Sequence, residues 1–151
     1  MKRAERLQMV QRVVDDQERR RAETLAGSER RLRESETKLA ELQNYYAGYV
    51  REFAARAESG MDGGMARDYQ AFLSRLDEAL RQQAQAVVRA RAQRDGELQI
   101  WQGAAQRAEG VGQMVRRFLL EDARALDRVE QFESDERAQH ALTYGLLPRG
   151  A

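Results

Sequence analysis

Only one stretch between residue 1 and Gly145 clearly interrupts helical patterning: Ser59-Gly60-Met61-Asp62-Gly63-Gly64. Long apolar heptad runs lie on both sides of it. A long amphipathic helix needs something to cover its apolar stripe. Two such helices joined by a short flexible turn can cover one another. The pattern therefore predicts an all-α chain, two long helices forming an antiparallel coiled-coil hairpin. Helix 1 runs over about residues 3–58, the turn over about 59–64, helix 2 over about 65–144, and a tail over about 145–151. Gly145 and Pro148 supply the closing stop signal.

The seam can be traced residue by residue. Leu25, Leu32, Leu39, Tyr46 and Phe53 hold one heptad position of helix 1, and Ser28, Ser35, Leu42 and Tyr49 hold the other. Nearer the start, Leu7 and Val14 fit, but Gln11, Glu18 and Arg21 fall on the same seam, which predicts weaker pairing there. Helix 2 reads Leu73, Leu76, Leu80, Gln83, Val87 and Ala90, then the polar Arg94 and Glu97. It resumes with Trp101, Ala104, Ala108, Val111, Val115 and Phe118. Asp122 breaks the phase, and Val129 and Phe132 restart it. Folding back at the glycines pairs residues whose numbers add to roughly 123. Leu7 then meets Val115 and Phe118. Arg21 falls opposite Trp101, where its guanidinium either stacks on the indole or projects outward. Beyond about residue 121, helix 2 has no partner left in helix 1. Gly110-Val111-Gly112 either marks a bend or is a site where packing overrides glycine's poor helix propensity.

Composition excludes several classes. Mean hydropathy is −0.80, a value also found in disordered chains. Here, however, Ala, Arg, Gln, Glu and Leu dominate, and these are strong helix formers. No run is apolar enough to span a bilayer, and no signal peptide is visible. The absence of Cys removes disulfides and Cys-ligated metals and fits a reducing cytosol. With 26 basic and 25 acidic residues the net charge is +1, which argues against nucleic-acid binding by counterion release. Charges sit instead where helix neighbours can pair: Asp15 with Arg19, Asp16 with Arg20, Glu29 with Arg33, Glu34 with Lys38, Asp77 with Arg81. His140 has no second His or Cys for a metal site. The turn lacks the Lys-Ser/Thr and preceding strand of a phosphate loop. No catalytic residue, cofactor site or metal site is expected.

A second apolar stripe does suggest a function. On a helical projection Leu42 is central, with Tyr45 and Tyr49 on the flank away from Leu39, Tyr46 and Phe53. Helix 2 repeats this: Phe72, Leu76, Ala79 and Gln83 form a line beside Leu73, Leu80 and Val87. A two-helix seam covers one flank, not both. The extra flanks belong to neighbouring segments and merge into an apolar–aromatic patch rimmed by charge, the kind of surface that anchors protein partners. A wider core or a homo-oligomeric seam is the competing reading.

The segments Leu39-Ala-Glu-Leu42-Gln-Asn-Tyr45-Tyr-Ala-Gly-Tyr49 and Asp68-Tyr69-Gln70-Ala-Phe72-Leu-Ser-Arg-Leu76-Asp-Glu-Ala79-Leu-Arg-Gln-Gln83, with the glycine turn between them, resemble the FliJ family of flagellar export proteins. The resemblance implies a non-enzymatic, monomeric component of the flagellar type III export apparatus, at the cytoplasmic face of the inner membrane without insertion into it. It further implies a coiled-coil hairpin similar to the central stalk of rotary ATPases, whose terminal end enters the ring of the export ATPase FliI, with its regulator FliH, and promotes ring assembly and activity. The opposite region would bind the cytoplasmic linker of the export gate FlhA through Leu42, Tyr45, Tyr49, Phe72, Leu76, Ala79 and Gln83. An escort role for export chaperones is associated with the family. Lys38 stands where Gln is usual, and Gln83 where some relatives have His. Around Arg12, Arg19, Arg20 and Arg124 we expect the ATPase contacts. The alternatives are the analogous stalk of a virulence secretion system and a homo-oligomeric scaffold.

Overall fold

The computed structural model describes residues 2–145. It contains two helices, α1 over Arg3–Ser59 and α2 over Gly63–Thr143. The connection is shorter than expected, because Asp62 caps α2: its Oδ1 accepts from the Met65 amide at 2.8 Å. This satisfies one of the first-turn donors that a helix leaves open. With the cap in place, Gly63 and Gly64 are recruited into the first turn despite their low propensity. At the other end of the turn, Gly60 takes φ 98°, a left-handed conformation that closes a helix at little cost only for glycine. The Ser59 hydroxyl donates to the Arg56 carbonyl at 3.2 Å.

The chain divides into two compact units. The first, Gln17–Ala104, carries most of the seam. Leu25, Ser28, Leu32, Val87 and Ala104 are buried, while Leu39, Tyr46, Phe53, Leu73, Leu80 and Trp101 are half-buried. A pair of helices covers only a stripe of each partner, so this gradation is what a two-helix seam gives. Cross-helix partners run in opposite directions: Phe53 packs on Tyr69, Ser35 bonds Gln83, and Glu18 bonds Trp101. The helices are antiparallel and near the expected register. Arg21 is exposed, and the Trp101 Nε1–H donates to Glu18 Oε1 at 2.8 Å. Of the two readings of Arg21, the outward one holds, since its side chain stays in solvent. Asp77 and Arg81 form their expected i,i+4 pair at 2.8 Å.

The second unit is built from residues up to Asp16 and from Ala105 onward. Val115 is buried, and Leu7, Val14, Val111 and Phe118 are half-buried. The Arg3 guanidinium lies 4.7 Å from the Phe118 ring centroid, within cation–π range. α2 continues unbroken through Gly110-Val111-Gly112. Gly112 is buried, and a side chain there would meet Gln11 Nε2 at 3.8 Å. That is ordinary contact distance, so the site would accommodate a side chain, and the helix continues through this glycine without a break. All residues over 121–140 are exposed, among them Leu126, Val129 and Phe132. α2 ends at Thr143, and Gly145 follows with φ 69°. Pro148 and the remainder of the expected tail lie outside the described residues. Among the described residues no helix is long and apolar enough to cross a membrane.

Candidate functional site

The densest aromatic surface belongs to the Gln17–Ala104 unit. The heptad phase turns Leu39, Tyr46 and Phe53 toward the seam, which leaves Tyr45 on the outer flank at 62% exposure. Leu42 and Tyr49 are half-buried between the two. On α2, Phe72 is 37% exposed, with Leu76 and Ala79 half-buried behind it. Tyr49 and Phe72 meet edge to face, centroids 4.8 Å apart at 71°. That geometry is favoured by the aromatic quadrupole and holds one residue of each helix together. Leu42, Tyr45 and Ala79 line one groove of about 560 Å³ together with Lys38, Glu41, Gln82, Gln83, Ala86 and Arg89. Tyr49 and Phe72 line a second, shallower concavity with Asp68 and Tyr69. The surface is therefore composite, and neither helix makes it alone.

Gln83 sits differently from its neighbours on the stripe. It borders the groove, but its Nε2 donates to the Ser35 carbonyl of α1 at 3.0 Å. Its amide is turned into the seam.

Tyr69 belongs to the site and is not among the site residues to which the sequence points. Its ring packs on Phe53, centroids 5.6 Å apart, and the Arg56 guanidinium lies 5.7 Å from its centroid. Desolvation beside these rings raises the Tyr69 phenol above its ordinary pKa, Arg56 opposes the rise, and the neighbouring Glu52 carboxylate adds to it. Glu52 is itself paired with Arg56 at 3.1 Å. The signal is available as spacing, since Tyr69 precedes Phe72 by one turn and so shares its side of α2. Lys38 and Arg89 border the groove beside Tyr45, with Glu41 on the same lining. Only the fold reveals this border, because the two residues lie on different helices.

Four arginines are expected to meet the ATPase: Arg12, Arg19, Arg20 and Arg124. Arg19 and Arg20 belong to the Gln17–Ala104 unit and Arg12 and Arg124 to the other. All four are exposed. His140 packs on Tyr144, ring centroids 4.4 Å apart, in the last turn of α2.

A family model described as flagellar FliJ protein matches residues 1–143. No curated protein and no solved structure matches the chain.

Proposed function

The chain belongs to the flagellar FliJ family, which makes it a non-catalytic component of flagellar protein export, and from that membership we propose that it acts as a stalk and adaptor between the export ATPase and the export gate. In this reading the termini meet the ring of the ATPase FliI, with FliH, and promote its assembly and activity. The Leu42–Tyr45–Tyr49 and Phe72–Leu76–Ala79 surface docks the cytoplasmic linker of FlhA, and export chaperones are escorted in the same assembly. The protein then works at the cytoplasmic face of the inner membrane, held there by its partners.

One observation carries this proposal: large aromatic side chains of both helices remain accessible on one composite face. Tyr45 keeps 62% of its surface in contact with solvent. A buried aromatic of that size would contribute several kcal/mol to the fold, and leaving it in water forgoes that gain. Such a patch rimmed by charge is the usual form of a reversible protein interface.

Tyr45→Ala and Phe72→Ala should reduce binding to the purified FlhA linker by at least roughly tenfold each, as hot-spot truncations do. Helicity and melting should stay close to wild type for Tyr45→Ala. The ATPase arm is tested by titrating the chain into FliI and following hydrolysis and ring formation. Stimulation at substoichiometric ratio is expected. Absence of stimulation by folded protein with active ATPase would remove that arm while leaving gate docking to stand on the binding data.

A further inference from the structure

We propose that Gln83 is a positioning residue: its bond to the Ser35 carbonyl, seconded by the Trp101–Glu18 bond, holds the two helices of the Gln17–Ala104 unit in a single register. This inference concerns the fold of the unit and is independent of the partner assigned above.

The apolar seam by itself does not select one register. Leu25, Leu32 and Leu39 recur every seven residues in α1, as do Leu73, Leu80 and the kindred Val87 in α2. A slip of one heptad therefore sets leucine against leucine again. Between the α1 layers stand the small Ser28 and Ser35, and farther along α2 stands the small Ala104. Ser28 and Ala104 are each 1% exposed, and such short knobs discriminate weakly between neighbouring holes. Nor is the turn a rigid stop. Gly60 and Gly63 face open space, with no atom within 4 Å of where a side chain would begin, and a glycine-rich connection can re-form a few residues along.

The two polar ties are what a slip would break. If the turn migrates into Gly63-Gly64, a displacement of one heptad brings Gln83 from Ser35 to Leu42, and Trp101 from Glu18 to Leu25. Ser35 is small enough for an amide to reach the backbone behind it, whereas Leu42 is not. Glu18 accepts the indole N–H at 2.8 Å, whereas Leu25 accepts nothing. A half-buried donor left without a partner is costly, so the displaced register is disfavoured by the polar residues and not by the leucines. A single polar seam position that specifies register at some expense in stability is a known device of coiled coils. Its consequence here is local: Tyr49 meets Phe72, and Leu42 and Tyr45 share a groove with Ala79, only in the native register.

The test uses the full chain, which has no cysteine, so introduced pairs report without background. Ser28 and Ala90 stand one heptad from Ser35 and Gln83 at the same register and line one groove, so Ser28→Cys with Ala90→Cys should form a disulfide in the native register. Ser28→Cys with Glu97→Cys reports the displaced one and should stay at background in otherwise wild-type protein. Adding Gln83→Leu should raise the displaced disulfide roughly fivefold, the factor corresponding to one net hydrogen bond. The urea midpoint should stay unchanged or rise, since an apolar side chain replaces a half-buried polar one. Adding Trp101→Phe should raise the displaced fraction further. A displaced fraction that stays at background in both variants overturns the proposal, as does equal trapping of both pairs in the wild-type background. If Gln83→Leu does not fold, Gln83→Glu keeps the size, loses the donor, and carries the same expectation.

Discussion

Residues 17–104 and residues 121–140 are both rich in charge and overwhelmingly helical, yet only the first region buries its apolar side chains. In the first, Leu32 is 6% and Val87 6% exposed. In the second, Leu126 is 60% and Phe132 68% exposed. Both regions are helical, so helix propensity does not account for the difference. What differs is the partner: α1 supplies a matching seam in one case and no residues in the other. Secondary structure in this chain is a local property, whereas stability depends on which helix has a companion.

The largest expected effect separates the two regions by stability. Leu32→Ala should cost about 2–4 kcal/mol, as for other fully buried leucines. Leu126→Ala should fall within about 0.5 kcal/mol of wild type. Urea denaturation measures both, and comparable losses would show that the exposed helix is covered in solution and break the comparison. An intermediate effect concerns the turn that brings α2 back. Asp62→Ala removes the cap bonded to the Met65 amide and should cost about 1 kcal/mol. By hydrogen exchange the loss of protection should be concentrated in the residues following Asp62, with residues 121–140 unaffected. The smallest effect is on titration. The Tyr69 phenol is raised, so folding favours its neutral form. That contribution is fully present below the phenol's unfolded pKa of about 10 and is lost as pH climbs through the higher folded value. Phenolate absorbance should therefore show one late-ionising tyrosine, and Tyr69→Phe should remove that last step. An unchanged profile would place Tyr69 outside the aromatic cluster.

Much of the molecule is legible in the sequence because its signals repeat. The heptads of α1 and α2 and the lone glycine-rich break predict the hairpin, and Tyr49 against Phe72 and Phe53 against Tyr69 lie near the expected register. The composite surface follows from counting flanks: two stripes per helix and one seam leave two stripes over. What is not legible is pairwise. Trp101 has Arg21 as its expected neighbour and instead bonds Glu18, because an indole N–H within reach of a carboxylate takes a charge-assisted bond. Gln83 reads both as a seam position and as a member of the outer stripe, and only the structure shows that its amide turns inward to the Ser35 carbonyl. The turn is shorter than its glycines suggest because the Asp62 cap outweighs their low propensity.

The sequence alone therefore determined the helices, their antiparallel pairing, the length of α2 left without a partner, and the FliJ resemblance. All of these rest on periodicity and on local backbone preference, which act over a few residues. Only the tertiary structure decided which donors meet which acceptors across the seam, how far each aromatic emerges from it, and that Arg89 joins the border of the site. Those outcomes depend on distances of a few ångströms between residues far apart in the chain, and a one-dimensional pattern carries no information at that scale.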